Sequence, residues 1–281
     1  VFPPSIVSIN SISQCAITNT AMRVKLQFVS NKPIVLPVHY LYSVHQLVYK
    51  LFTPAVAHKI YLDGFPYKGR KLKLFNYSRI LEHGKVESGN IIFDNAITFY
   101  FSCPLQYLVG DVIKNAFVAD KLDINGNELM LNTCEVVPTP VFTTDSVEIR
   151  LLSPMTVYST FQRNGKNITH YYRPTDATFA ELVRDNARRK YAATMLASGN
   201  TDVNNVVDMQ LDIVPKKYDA KRDQKVLYFK NKVIECYTGQ YVLTGNPKLI
   251  ETTYECGIGA CTSMGNICLL ETYNIRKKKK E

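Results

Sequence analysis

The sequence has no tryptophan and no run of about 18 apolar residues, so no segment reads as a membrane-spanning helix. It has no Cys-x-x-Cys pair. Its seven cysteines (Cys15, Cys103, Cys134, Cys236, Cys256, Cys261 and Cys268) are scattered and odd in number. A zinc site needs four well-placed ligands, and Cys256 with Cys261 do not make one. Free thiols in a reducing cytosol are the plain reading. No carboxylate cluster reads as a metal site, and no cofactor is expected. The start, Val1-Phe2-Pro3-Pro4, lacks a basic region followed by an apolar one, so no secretory signal is expected. The sequons at Asn76 and Asn167 then carry no weight, and the expected location is cytoplasmic. Acidic residues are scarce, with 24 against 34 Lys and Arg, giving a formal charge of +10.

The 281 residues suit two units of about 120–150 residues each. Hydrophobic residues at 46% suffice for two cores. The last six residues, 276–281, carry five positive charges and one negative, which leaves +6 for the rest. A terminal basic run is usually a solvated end. The remaining excess favours an anionic partner, with nucleic acid first. Eighteen tyrosines and thirteen phenylalanines offer stacking surfaces, though most belong in the core.

Residues 1–21 are polar and aperiodic and read as an extension of low order. Strict alternation begins at Arg23-Val24-Lys25-Leu26-Gln27-Phe28 and predicts a half-buried strand. Val147-Glu148-Ile149-Arg150-Leu151 repeats the pattern. Each strand is followed by a Pro-containing loop and a helix, at about 39–53 and about 176–196. The second helix places Phe179, Leu182, Val183, Ala187 and Tyr191 at helical spacing, with Thr175 or Asp176 as its cap. Further strands are expected over 71–79, 96–103 and 128–136, with a helix over 106–117. In the second half, strands are expected over 207–214, 225–229, 233–244 and 266–272, with a helix over 246–254. The residues at 163–173 read as a polar connection. The fold class is therefore α+β: tandem ferredoxin-like domains, each β-α-β-β-α-β. The domains are 22–140 and 141–275, parted where Pro138, Pro140 and Asp145 cluster.

Gly257-Ile258-Gly259-Ala260-Cys261-Thr262-Ser263-Met264-Gly265 precedes a strand rather than a helix. That excludes the dinucleotide and Walker readings, which both end on a helix N-terminus. Two readings stay open. The loop exposes backbone N–H groups to a phosphodiester, or its glycines serve a tight turn with positive φ.

This segment resembles the C-terminal glycine-rich loop of the repeat-associated (RAMP) proteins of CRISPR systems, in particular the family that cuts CRISPR precursor RNA within its repeats. Gly257, Gly259, Ser263 and Gly265 fit that pattern. Ile267 stands where the family has a last glycine, and Ala260, Cys261 and Thr262 replace its loop cations. Leu36-Pro37-Val38-His39-Tyr40, Lys73-Leu74-Phe75-Asn76-Tyr77-Ser78-Arg79 and Ser153-Pro154 are similar to further family segments. The likeness runs from Met22 to about Thr272. It implies a fold of RRM-like RAMP domains and an endoribonuclease of antiviral defence. The implied reaction is metal-independent: a ribose 2′-OH attacks the adjacent phosphate, leaving a 2′,3′-cyclic phosphate and a 5′-OH. The implied partner is CRISPR repeat RNA in the precursor transcript, with the protein acting as monomer or homodimer. The alternative is an inactive RNA-binding subunit of a CRISPR effector complex, with the other subunits as partners.

Such a reaction needs a base, an acid and a cation. On the helix at 39–53, Leu41, Val44, Val48 and Leu51 form an apolar stripe. His39, Tyr42, Gln46 and Tyr49 fall on the other side, with His45 flanking them. Imidazole titrates near neutrality and serves as acid or base. The candidate catalytic residues are His39, His45, Tyr49 and Lys73, with Lys71 and Arg70 as alternative cations. The family's usual histidine place is taken by Asp63, which leaves the proton-transfer role to His39, His45 or, less directly, His58. His83 and His170 read as loop residues. Candidate RNA contacts are Tyr42, Gly257, Gly259, Ser263, Gly265, Arg23 and Lys25. Arg184, Arg188 and Arg189 on the second helix are either further contacts or a solvated face.

Overall fold

A computed structural model describes residues 23–264 and the backbone of 270–273. The expectations for residues 1–21, Gly265, Ile267 and the tail at 276–281 lie outside the described residues.

The first strand, β1 (Arg23–Val29), buries Val24, Leu26 and Phe28 completely and turns Arg23, Lys25 and Gln27 to its other face. It pairs antiparallel with β8 (Ala96–Ser102) on one side and β10 (Asn127–Val137) on the other. A two-residue strand, β5 (Asn76–Tyr77), extends beyond β8, and β9 (Leu122–Ile124) lies outside β10. Helix α1 (Leu41–Lys50) follows β1, and α3 (Gln106–Val118) links β8 to the outer pair. The order β5-β8-β1-β10 places second, third, first and fourth strands side by side, which is the ferredoxin-like arrangement.

The second half repeats it. Its strands are β11 (Ser146–Leu151), β14 (Leu211–Pro215), β17 (Gln240–Gly245) and β18 (Leu270–Tyr273), in the order β14-β17-β11-β18. Helix α4 (Phe179–Ala197) follows β11, and α5 (Pro247–Cys256) precedes the glycine-rich loop. Asn246 caps α5 through its side chain, with Pro247 in the first turn, where its missing N–H costs nothing.

Four elements depart from expectation. The helix predicted at 39–53 is α1, and an unexpected helix α2 (Pro54–Leu62) follows it, because Pro54 cannot continue α1 but suits a first helical turn. His39 lies in the turn before α1. The strand predicted at 71–79 is broken at Leu74, whose φ is +55°. It becomes β4 (Arg70–Leu72), which pairs with β3 (Phe65–Tyr67), and then β5. The polar stretch at 163–173 forms a hairpin of β12 (Tyr158–Arg163) and β13 (Lys166–Tyr171), turned by Asn164 and Gly165, both at positive φ. The strand predicted at 233–244 is split at Gly239, whose φ is +128°, into β16 (Lys232–Tyr237), which forms a second hairpin with β15 (Gln224–Phe229), and β17 of the main sheet.

The two cores interlock. Leu41 of α1 packs in the second core, while Val44, Leu47 and Val48 pack in the first. Ala193 and Cys256 of the second half return the exchange into the first core. Helix α1 therefore lies on the seam, with one face free for chemistry. Among the described residues no helix is long and apolar enough to cross a membrane.

Candidate functional site

Helix α1 buries Leu41, Val44, Leu47 and Val48, and this periodicity turns Tyr42, His45 and Tyr49 to the seam. His45 Nδ1 lies 3.0 Å from the Ser263 carbonyl and 3.2 Å from Tyr77 Oη. A carbonyl only accepts, so Nδ1 carries the proton and Nε2 keeps its lone pair. The ring sits 4.8 Å from Tyr49 and edge-on at 5.3 Å to Phe229. Burial pushes its pKa down to about 4. The bond to Ser263 opposes the shift, and the charges of Lys230 and Lys73 add to it. His45 is thus a neutral base at neutral pH.

Tyr49 is pushed up to about 12, by burial and then by Tyr61, so it keeps its proton. Tyr61 meets it edge-on at 6.4 Å. Lys73, between β4 and β5, donates to the carbonyls of Ile60 and Tyr61 at the end of α2. Lys71 donates to the Leu62 carbonyl at 2.9 Å. Both lysines thus cap a helix C-terminus, where positive charge is favoured. Burial and the Lys71 charge lower the Lys73 pKa, and Asp63 opposes them. Lys73 has three N–H groups, so one remains beyond these two bonds. Lys230 sits 4.5 Å over the Tyr42 ring.

The structure thus groups His45, Tyr49, Tyr42 and Lys73 with the Ser263 backbone. His39 is set differently, exposed, with its ring 4.5 Å from that of Tyr228. Asp63 is exposed at the C-cap of α2, and His58 is exposed on the same helix. Sequence reasoning missed Tyr61, Tyr77 and Lys230. Tyr77 lies inside the quoted 73–79 motif, while Lys230 becomes adjacent only through the β15–β16 hairpin.

The glycine-rich loop is strapped into the protein. Gly257 has φ +78° and ψ +156°, a conformation that only glycine adopts readily. At Gly259, also at positive φ, a Cβ would stand 2.6 Å from the Thr156 carbonyl. The buried Lys190 of α4 donates to the carbonyls of Gly257 and Gly259, at 2.7 and 2.8 Å. Ala260 N–H donates to Thr156 O. Both glycines are buried, so the tight-turn reading describes them, and the loop meets His45 through the Ser263 carbonyl.

The two strand cations also divide. Lys25 is a half-buried partner of Glu135, 3.6 Å away. Arg23 is buried, against the expectation of an RNA contact. Its guanidinium lies 3.7 Å over the Tyr254 ring and donates to the Tyr254 carbonyl at 2.6 Å. Asn76 and Ser102 both donate to the Glu255 carbonyl, so the first half satisfies the last carbonyls of α5. Among the described residues no group of three His, Cys, Asp or Glu is placed to hold a metal ion.

Known proteins share this fold. Residues 137–269 match the family described as CRISPR associated protein Cas6, C-terminal. The chain is 22% identical over 267 residues to a CRISPR-associated endoribonuclease Cas6 of Methanocaldococcus jannaschii, covering 92% of this chain and 97% of that one. Among solved structures, a CRISPR associated protein Cas6 superposes with a TM-score of 0.69 at 20% identity, covering 90% of this chain and 99% of the other. A Cas6-related protein from Pyrococcus furiosus gives 0.72 at 16% identity, covering 91% and 99%. An RAMP protein described as binding different RNA substrates gives 0.69 at 17%, covering 90% and 100%. With the doubled ferredoxin-like order and the glycine-rich loop already in place, these matches make residues 137–269 similar to the C-terminal part of Cas6 and give nearly the whole chain the fold of Cas6 and RAMP proteins.

Proposed function

We propose that this chain is a metal-independent endoribonuclease that binds CRISPR repeat RNA and cuts the precursor transcript. The observation that carries the reading is His45, fixed by the Ser263 carbonyl as a neutral imidazole among Tyr49, Lys73 and Lys230. These groups move protons and offset charge. In the proposed reaction Nε2 of His45 takes the proton of a ribose 2′-OH as that oxygen attacks phosphorus. The bond from phosphorus to the 5′-oxygen breaks. The leaving oxygen takes a proton from Lys73, whose lowered pKa makes it a better acid, or from Tyr49. The products are a 2′,3′-cyclic phosphate and a 5′-OH. Lys73 and Lys230 offset the charge on the phosphate.

The test is incubation with a repeat RNA in EDTA. One cut is expected, with a 3′ end that resists ligation until its cyclic phosphate is opened. A cut that needs a divalent ion, or that leaves a 5′-phosphate, overturns the reading. A second reading is retained because burial holds His45 near 4, which makes it a weak base. In that reading the chain is an RNA-binding RAMP subunit of an effector complex, and the same assay shows retention of the repeat without a cut.

A further inference from the structure

The β15–β16 hairpin belongs to the second half, but its far end crosses the seam and leans on α1. Its own half holds it through Phe229 and Ile234, buried in the second core, and through the Tyr171 hydroxyl, which donates to the Val233 carbonyl at 3.0 Å. Three consecutive residues then meet the first half. The Tyr228 ring lies 4.5 Å from that of His39. Phe229 stands edge-on to Tyr42 at 5.7 Å and to His45 at 5.3 Å. Lys230, in the turn, sits 4.5 Å over the Tyr42 ring. His39, Tyr42 and His45 follow one another at a spacing of three. The hairpin end thus tracks one side of α1 and of the turn before it.

These contacts differ in what they bury. Tyr228 is 44% exposed, and Val233, opposite it in the hairpin, is 53% exposed, so the outer face gains little from burial. Phe229 is 5% exposed and closes one side of the His45 ring. The groups that face this imidazole are Tyr42 and Tyr49 of α1, Tyr77 of β5, Lys73, Lys230 and the Ser263 carbonyl. The carbonyl favours the charged ring and the two lysines oppose it, but burial outweighs them all. A phenyl ring offers no lone pair to a ring proton and takes the place of water that would. Phe229 therefore acts on His45 through exclusion of water rather than through charge.

We propose that the β15–β16 hairpin is a clamp on His45, in which Phe229 is a positioning residue that keeps water from one side of the imidazole and the Tyr228–His39 contact anchors the hairpin on the first half. That the clamped ring is the base of a cleavage reaction rests on the reading above, whereas the clamp itself is a property of the protein without RNA. His39, a candidate catalyst in the sequence, thereby acts on the second histidine through the hairpin.

The experiment follows the His45 imidazole of the full chain by heteronuclear NMR over a pH series, and measures single-turnover cleavage of a repeat RNA over the same range. Phe229→Ala is expected to raise the His45 midpoint by about one pH unit or more, as water reaches the ring, and to move the acid limb of the cleavage rate with it. Phe229→Leu keeps an apolar side chain there and should restore most of the wild-type behaviour. Lys230→Met removes a charge alone and should raise the midpoint less than Phe229→Ala, since burial is the larger influence. Tyr228→Ala and His39→Ala work from the anchor. Each should raise the midpoint by a smaller step, and the double variant no further than the larger single one, because the two act as a pair. These anchor variants carry the test if Phe229→Ala loses its melting transition. An unchanged His45 midpoint in folded Phe229→Ala, or in both anchor variants, overturns the clamp. Midpoints that move as expected in a chain that never cuts the RNA uphold the clamp and overturn the endoribonuclease reading.

Discussion

Helices α1 and α4 hold the same place in the two halves, each following the first strand of a ferredoxin-like unit, yet they carry different chemistry. Helix α1 turns rings to the seam: Tyr42, His45 and Tyr49. Helix α4 turns cations: Arg188 and Arg189 to a hollow that they line with Arg70, Lys190 to the glycine-rich loop. The loop lies between them, with Gly257 and Gly259 gripped by α4 and Ser263 meeting α1. The two halves thus set a ring-bearing helix and a cation-bearing helix against one loop, and the proposed function gives proton transfer to the first.

The largest expected effect tests the division itself. His45→Ala should lower the single-turnover rate by about 10²-fold or more if the imidazole moves a proton. His39→Ala should lower it much less, and a larger drop at His39 would break the assignment. In wild type the rate should rise as pH climbs through about 4, where His45 loses its proton. It should then stay level through neutrality and fall only when Lys73 deprotonates. A rise centred near 6.5 would mean an unshifted imidazole.

Next comes the α4 grip. Lys190→Met leaves two buried carbonyls without their ammonium donor and should cost about 3 kcal/mol, read as a lower melting temperature. It should also slow cleavage, by loosening the Ser263 carbonyl. Gly259→Ala should cost about 2 kcal/mol, because the new Cβ meets the Thr156 carbonyl in a strained conformation. Normal stability in either variant would break the picture of a strapped loop.

The smallest effect contrasts one titrating group from each half. His45 has a lowered folded pKa, so its contribution is complete above the unfolded value near 6.5 and is lost as pH falls through about 4. Glu255 behaves oppositely. Burial, and then Glu251, push it up to about 8, so its contribution is complete below about 4.5 and is lost as pH rises through 8. Glu255→Gln should therefore raise the melting temperature at pH 8.5 by about 2–4 °C and leave the acid limb unchanged. Destabilisation at pH 8.5 would show that Glu255 works as an ion partner.

Local pattern explains what is legible in the sequence. The alternation in β1 and β11 and the spacing of Phe179, Val183 and Ala187 reflect burial of one face and survive in any single-chain reading. The loop also announces itself, through glycines that its backbone requires. Less is visible where partners are distant. Arg23 looks like a surface cation on a strand, and only contact with Tyr254, 231 residues away, makes it internal. Lys190 reads as part of a basic run until the loop 67 residues on folds over it. Helix α2 escapes a sequence reading because Ile60 is its one buried residue, so it has almost no apolar stripe. The break at Leu74 is a left-handed turn at a residue type that gives no warning.

The exchange of side chains across the seam sets a rule for rebuilding this protein. Leu41 is a knob in its neighbour's socket, and Ala193 and Cys256 are knobs in the other direction. A chimera spliced at 137–146, taking one half from a distant relative, would inherit mismatched knobs on both sides of the cut. Grafts that keep α1, α4 and the end of α5 from one parent avoid this, so the unit of inheritance is the seam.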